Sequence, residues 1–326
     1  MPRKDLTEKP VILVTRRVPP PVEARIRDAY RATLNDDDRV WNAGELIDRA
    51  RGCTGLLICP TERLTTDVIE RLPAEVKICA TFSVGYDHID IATAKRRGLI
   101  VTNTPDVLTD ATADIAILLI LGAARRATEA EALLRRGDWG AWSTMFMLGT
   151  HVSGKRLGIY GMGRIGRAVA RRARGFGMTI HYCNRQRLSA ELETGAIFHA
   201  TPEALLPHCD FLSLHCPASA ETHHFLDARR IALLPDGAVV VNTARGTVVD
   251  DGALIAALKS GKLAAAGLDV FEGEPRFNRT YLELSNTMLL PHIGSATHET
   301  RAAMGNRAVD NLDAYFAGRA PADRVI

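Results

Sequence analysis

The chain has 326 residues, which at roughly 100–200 residues per domain implies about two domains, and 46% of them are apolar, enough to fill hydrophobic cores. Its 41 basic and 38 acidic side chains leave a formal charge of +3, a near-neutral balance that points to neither nucleic acid nor a membrane surface as a partner. The longest apolar run, Ile115 to Ala124, falls well short of the ~20 residues that cross a bilayer. The opening MPRKDLTEKPVILVT carries basic residues but no apolar stretch ahead of the first strand-like run, so no signal peptide is expected and the cytoplasm is the expected compartment.

In chain order, Val11 to Thr15 reads as a buried strand and Val22–Leu34 as an amphipathic helix. Strands follow at Leu56 to Cys59, Val76 to Thr81 and Leu99–Thr102, with a helix at Thr66–Leu72. Strands alternating with helices predict βαβ units and a parallel sheet. Asn103-Thr104-Pro105 marks a boundary, because the residue before proline is pushed out of the helical region. A helix over Thr112 to Arg126 is apolar on nearly all sides and is expected to be buried, between two domains or two subunits. The stretch holding Gly137, Trp139, Gly140, Trp142 and Gly149 has few helical cues.

A second βα series begins at Arg156. Strands are expected at RLGIYG, Thr179–Cys183, Phe211–His215, Ala238–Asn242, Ala266–Val270 and Thr287–Leu290. Helices are expected at Arg164 to Phe176, with Gly177 as its C-cap, at Gly252–Lys259, closed by Gly261, and at Thr300–Phe316. The six cysteines form no C-x-x-C pair and sit mostly in strand-like runs, as free buried thiols of a reducing compartment would. The ten histidines show no H-E-x-x-H or H-x-x-E-H spacing, and the adjacent His223 and His224 are not a helical ligand pair, so no metal is expected.

GMGRIG occupies Gly161–Gly166 between a strand and a helix, the context that gives a G-x-G-x-x-G its meaning. Gly161 permits the tight turn, Gly163 lets backbone approach a pyrophosphate, and Gly166 lets helix and sheet pack closely. The phosphates would then meet free N–H groups at a helix N-terminus. An NAD site usually carries Asp or Glu at the end of the next strand, near the ribose 2′-hydroxyl. Here that strand ends in Cys183-Asn184-Arg185-Gln186, without a carboxylate. Arg185 offers a planar fork for a 2′-phosphate, and Arg187 is placed to assist, so NADP(H) is the expected cofactor, with NAD(H) second.

Three further segments end predicted strands: VNTARG with Arg245, GLDVFEGEP with Asp269 and Glu274, and LLPHIGSAT with His292. In open α/β sheets ligands bind outside the carboxyl ends of the strands. Hydride addition to a ketone leaves a developing alkoxide that needs a proton donor, and histidine suits the task. A carboxylate beside the imidazole fixes its tautomer and favours the charged form. An arginine can bind a substrate carboxylate bidentately and polarise the carbonyl. His292 is therefore expected as acid/base, Glu274 as its partner and Arg245 as the clamp.

With GMGRIG, NTARGTVVD, GLDVFEGEP and PHIGSAT in this order and spacing, the chain resembles the D-isomer-specific 2-hydroxyacid dehydrogenases over nearly its whole length. Within them it looks most like the glyoxylate/hydroxypyruvate reductases, on VTRRVPPPVEARI, Asn184-Arg185 and the Trp139/Trp142 pair. The resemblance implies an α/β protein with two Rossmann-like or flavodoxin-like parallel-sheet domains and the active site in the cleft between them. Residues 1–104 with 292–326 would form a discontinuous substrate-binding domain, and 105–291 the dinucleotide-binding domain. It further implies that backbone groups of Val84 and Gly85, beside Ser83, hold the substrate carboxylate, that Asp269 touches the nicotinamide side, and that the protein is a homodimer in which Trp142 reaches the partner's site. The cofactor set is completed by Met162, Arg164, Ile165, Gln186, Pro217, Thr243, Ala244 and Gly294. Asp106 stands where a Gly is common before Val107, and Ser285 where a Pro is common before Asn286.

The expected reaction is reduction of glyoxylate or hydroxypyruvate. Rival expectations are a 2-ketogluconate (2-ketoaldonate) reductase, which shares the NADP signature, an NAD-dependent phosphoglycerate dehydrogenase, and a dinucleotide-sensing corepressor-like protein.

Overall fold

The structure is a computed structural model that describes residues 9–326, so the first eight residues of the leading segment, judged above not to be a signal peptide, lie outside the described residues. The chain divides into two compact units. One comprises the described residues up to Leu108 together with Ser295–Ile326, and the other is Thr109–Gly294.

The first unit runs β1 (Val11–Val14), α1 (Pro20–Ala29), β2 (Arg31–Thr33), α2 (Ala43–Arg49), β3 (Gly55–Ile58), α3 (Thr66–Arg71), β4 (Ile78–Thr81), α4 (Ile91–Arg97) and β5 (Ile100–Thr102). Its five strands are parallel in the order β2-β1-β3-β4-β5, the flavodoxin-like winding. β3 and β4 are buried at every position, which is why they read as unbroken apolar runs rather than alternating ones. Local chemistry sets the helix ends. Asn42 and Glu45 form a capping box on α2, Asp90 caps α4, and Gly98 closes α4 in the left-handed region. The C-terminal helix His298–Phe316 packs on the same unit, with Gly305 against Val22 so tightly that a Cβ would come within 2.8 Å of it. Buried Asn311 accepts from the N–H of Asp323 and donates to the carbonyl of Asn103, tying this helix to the turn after β5.

The second unit runs α5 (Thr109–Ala124), α6 (Ala127–Arg135), β6 (Arg156–Tyr160), α7 (Arg164–Arg174), β7 (Thr179–Cys183), α8 (Ala190–Glu193), β8 (Ile197–His199), α9 (Pro202–Leu205), β9 (Phe211–Leu214), α10 (Ala228–Leu233), β10 (Ala238–Asn242), α11 (Asp251–Ser260), β11 (Leu263–Leu268) and β12 (Thr287–Leu289). The seven strands are all parallel, in the order β12-β11-β10-β9-β6-β7-β8, the doubly wound Rossmann arrangement with one added strand. Winding reverses between β6 and β9, so a crevice is expected outside their carboxyl ends. Leu119, Ile120, Val169 and Val239 fill the core on one face, and Leu212, Val240, Leu254 and Leu258 on the other. Among the described residues no helix is long and apolar enough to cross a membrane.

The expected Val22–Leu34 helix is instead α1 followed by β2. Tyr30 turns extended, with its ring buried, and the backbone of Arg31 then bonds Pro10 as an edge strand. Helix α7 ends two residues earlier than expected, with Gly175 at the cap and Gly177 left-handed beyond it. Helix α6 was not expected: it starts from Arg126 in the left-handed region and buries none of its residues, so no apolar face announces it. The strongly apolar α5 buries one side on its sheet while Leu118 stays exposed. Asp106 has φ of 71°, which accounts for the glycine common there. All six cysteines are free, and all but Cys59 are buried.

His181 on β7, His199 on β8 and His208 stack together, with Nδ1 of His181 3.0 Å from Nε2 of His199. Burial, reinforced by the neighbouring imidazole of His199, pushes His181 down to about 4, and burial lowers His199 as well. These groups stay neutral in the fold while an unfolded histidine titrates near 6.5. Above that pH they cost nothing. Below it the unfolded chain takes up protons that the native state refuses, so stability falls as pH drops from about 6.5 towards 4. Urea midpoints at pH 7 and pH 5 should show the decline, and His181→Asn should flatten it. An unchanged pH dependence in that variant would contradict the assignment.

Candidate active site

Gly161, Met162, Gly163, Arg164, Ile165 and Gly166 form the turn from β6 into α7. Gly161 has φ of 98°, and a Cβ there would lie 2.6 Å from the backbone nitrogen of Cys216. A Cβ on Gly166 would lie 2.4 Å from the carbonyl oxygen of Gly161, so helix and strand touch through backbone alone. A Cβ on Gly163 meets nothing within 4 Å: the turn opens outward there. Gly163 is also the N-cap of α7 and supplies no side-chain cap, leaving the first N–H groups of an eleven-residue helix to an outside acceptor. The cradle therefore fits a dinucleotide pyrophosphate.

At the end of β7, Asn184 does not face outward alone. Its Oδ1 accepts from the N–H of Met162 at 2.6 Å, bracing the glycine turn. Arg187 is committed elsewhere: its guanidinium makes a two-point pair with Glu193 at 2.7 and 3.0 Å, and Tyr182 donates to the same carboxylate. Arg187, expected to assist, is thus paired within its own loop in this structure. Arg185 and Gln186 are exposed. Among the described residues no hydrogen bond or ion pair engages Arg185, so its fork is available to an anion.

His215, which sequence reasoning passed over, ends β9 between these elements. One ring nitrogen lies 2.8 Å from Ser213 Oγ and the other 3.3 Å from Thr243 Oγ1, and burial pushes it down to about 4, so it is a neutral imidazole. Its only sequence signal was its place in SLHCP at a strand end. Pro217 follows it at the surface, its carbonyl accepting from Thr222.

Arg245, Glu274 and His292 follow β10, β11 and β12, three neighbouring strands, and so share one end of the sheet. Asn242 shapes the first loop: its amide donates to the carbonyl of Arg245 and its Oδ1 accepts from the N–H of Ala244. Thr243 and Ala244 are buried there, and Arg245 donates to the carbonyl of Ala244. Glu274 Oε1 lies 2.5 Å from His292 Nδ1, while its Oε2 accepts from the N–H of Phe271. Burial alone would raise the Glu274 carboxyl. The His292 bond and charge, the Phe271 N–H and the Arg245 charge outweigh burial and hold it below its usual range. Glu274 is thus an anion bound to Nδ1, and among the described residues no hydrogen bond engages Nε2 of His292.

Asp269 sits beneath the histidine turn. It is 1% exposed, and its two oxygens accept from the N–H groups of Ile293 and Gly294, at 2.7 and 2.8 Å. Its carbonyl accepts from the N–H of His292, whose φ of 54° is left-handed. Asp269 therefore holds the histidine turn, and burial raises its carboxyl above the ordinary range.

Ser83, Val84 and Gly85 lie in the first unit just after β4. The hydroxyl of Ser83 donates to the carbonyl of Gly85, Asn103 donates to that of Val84, and Thr104 N–H to that of Ser83. The carbonyls are fastened, while among the described residues the N–H groups of Val84 and Gly85 have no acceptor. Trp142 is 76% exposed, in a segment where Trp139, Met145 and Leu148 are exposed too.

A family model described as the D-isomer specific 2-hydroxyacid dehydrogenase, NAD binding domain, matches residues 117–294. A glycerate dehydrogenase of Hyphomicrobium methylovorum is 44% identical over 312 residues, covering 95% of this chain and 97% of that one. A glyoxylate reductase of Thermococcus litoralis is 44% identical over 322 residues, covering 97% of each. Among solved structures, an NADPH-dependent glyoxylate/hydroxypyruvate reductase of Sinorhizobium meliloti, in complex with NADP and malonate, is 35% identical with a TM-score of 0.88, covering 98% of this chain and 97% of that one.

Proposed function

This chain belongs to the D-isomer specific 2-hydroxyacid dehydrogenase family of oxidoreductases, and we propose that it reduces a small 2-keto acid, glyoxylate or hydroxypyruvate, with NADPH preferred over NADH. The observation that carries this reading is the Glu274–His292 pair beside Arg245, on strand ends of the same sheet that presents the glycine turn. Held with its pyrophosphate on the Gly161–Gly166 turn, a nicotinamide cofactor would supply the hydride for the keto carbon. Arg245 binds the substrate carboxylate and polarises the carbonyl. His292 delivers a proton from Nε2 to the oxygen as it gains charge, so the ketone leaves as a secondary alcohol. Glu274 fixes the proton on Nδ1 and balances the imidazolium, and Asp269 positions the histidine backbone. Arg185 would hold the 2′-phosphate. The NADP complex of the Sinorhizobium relative supports the cofactor, and the glyoxylate reductase and glycerate dehydrogenase relatives support the substrate class.

The exposed apolar segment around Trp139 and Trp142 supports a homodimer, and a cytoplasmic enzyme fits the six free thiols. A 2-ketoaldonate reductase would share the cofactor chemistry and differ in the pocket. Initial rates with NADPH against glyoxylate, hydroxypyruvate, 2-ketogluconate and 3-phosphohydroxypyruvate separate the readings: kcat/KM should be highest for one of the first two, and a maximum on 2-ketogluconate would replace this assignment. Arg245→Lys keeps the charge but loses the fork. It should raise KM for the keto acid and lower kcat together while NADPH binding is unchanged. Unaltered steady-state constants would remove Arg245 from the clamp.

A further inference from the structure

We propose that His223, His224 and Glu272 form a surface site for a divalent transition-metal cation of the Zn2+ type, separate from the catalytic pair. The two histidines are adjacent in sequence, and adjacent side chains ordinarily diverge. Here His224 adopts φ of 47°, in the left-handed region, and the imidazoles come to lie side by side with ring centroids 3.9 Å apart. The N–H of His224 bonds the carbonyl of Thr247, and Leu226 pairs with Val249, so the turn is anchored to the unit that carries Glu272.

Each imidazole faces its own carboxylate oxygen. Nε2 of His224 is 2.9 Å from one oxygen of Glu272, and Nε2 of His223 is 3.7 Å from the other. All three ligand atoms lie within 4.8 Å of one another. Tetrahedral Zn2+ with bonds of about 2.0–2.2 Å sets neighbouring ligand atoms about 3.3–3.5 Å apart, between the two observed separations. A hydrogen bond that merely fastens the turn needs only His224. His223 is too far for a hydrogen bond, but at the span of a shared cation. The set of two nitrogens and one carboxylate oxygen suits zinc-like ions and leaves a fourth position for water. Asp250 and Asp251 at the start of α11 add negative charge beside Glu272, which favours a cation. All three side chains are reachable from solvent. No short-range spacing announces the set, because Glu272 lies 48 residues beyond His224.

The test is isothermal titration of the metal-stripped full chain with Zn2+ alone. One ion should bind per chain. His223→Ala and the nearly isosteric Glu272→Gln should each weaken binding by roughly 10–100-fold or more, and His292→Ala should bind as tightly as the unsubstituted chain. Absence of saturable binding would overturn the proposal. So would binding that survives both His223→Ala and Glu272→Gln, or binding that is lost with His292→Ala.

Discussion

Replacing His292 with Ala should lower kcat by roughly 10²–10⁴-fold, the usual contribution of a positioned acid, while NADPH binding survives. Among the described residues no hydrogen bond joins the histidine to the glycine turn. Its backbone is held by Asp269 and its ring by Glu274, so the loss should fall on proton delivery rather than on the cofactor. Glu274→Gln should reproduce part of the loss with the imidazole still present, because an amide can donate to Nδ1 and stabilise the wrong tautomer. Fluorescence titration with NADPH beside steady-state turnover separates the two effects. Near-normal turnover in His292→Ala would remove the proton-donor role.

The second large effect concerns cofactor choice. Asn184→Asp combined with Arg185→Ser should reverse the preference from NADPH to NADH. Asn184 uses Oδ1 to accept from Met162, and an aspartate retains that acceptor while adding a negative charge at the end of β7. Loss of Arg185 removes a charge-assisted hydrogen bond worth about 1.5–3 kcal/mol, or roughly 10–150-fold in preference at about 1.4 kcal/mol per tenfold. Arg187 should not compensate, because Glu193 holds its guanidinium at two points. Since Arg185 is exposed, the wild-type preference should also shrink as ionic strength rises. The ratio of kcat/KM for the two cofactors, in both proteins and at two salt concentrations, checks each part. A ratio that does not move would make Arg185 a solvent residue.

What was legible in the sequence was local. The AVVVN of β10 is buried at all five positions and announces itself as an apolar run, and GMGRIG lies between a strand and a helix within a dozen residues. The three strand-end motifs were readable for the same reason, since each is short and set by one turn. What escaped depends on partners distant in sequence. Arg187 looked available until Glu193 was found against it. Asp269 also accepts from two N–H groups 24 and 25 residues onward, a structural task that no local spacing announces. Helix α6 carried no buried face to find, and β2 is three residues of sheet edge whose pairing with β1 outweighs the helical pattern before it.

The most direct measurement is oxidation of NADPH by the purified chain, followed at 340 nm with glyoxylate or hydroxypyruvate, beside the same assay with NADH. Saturable turnover is predicted, on the order of 1–10³ per second, with NADPH favoured by roughly tenfold or more. Tight NADPH binding with no oxidation by either keto acid would contradict the account and make the chain a dinucleotide-binding protein rather than a reductase.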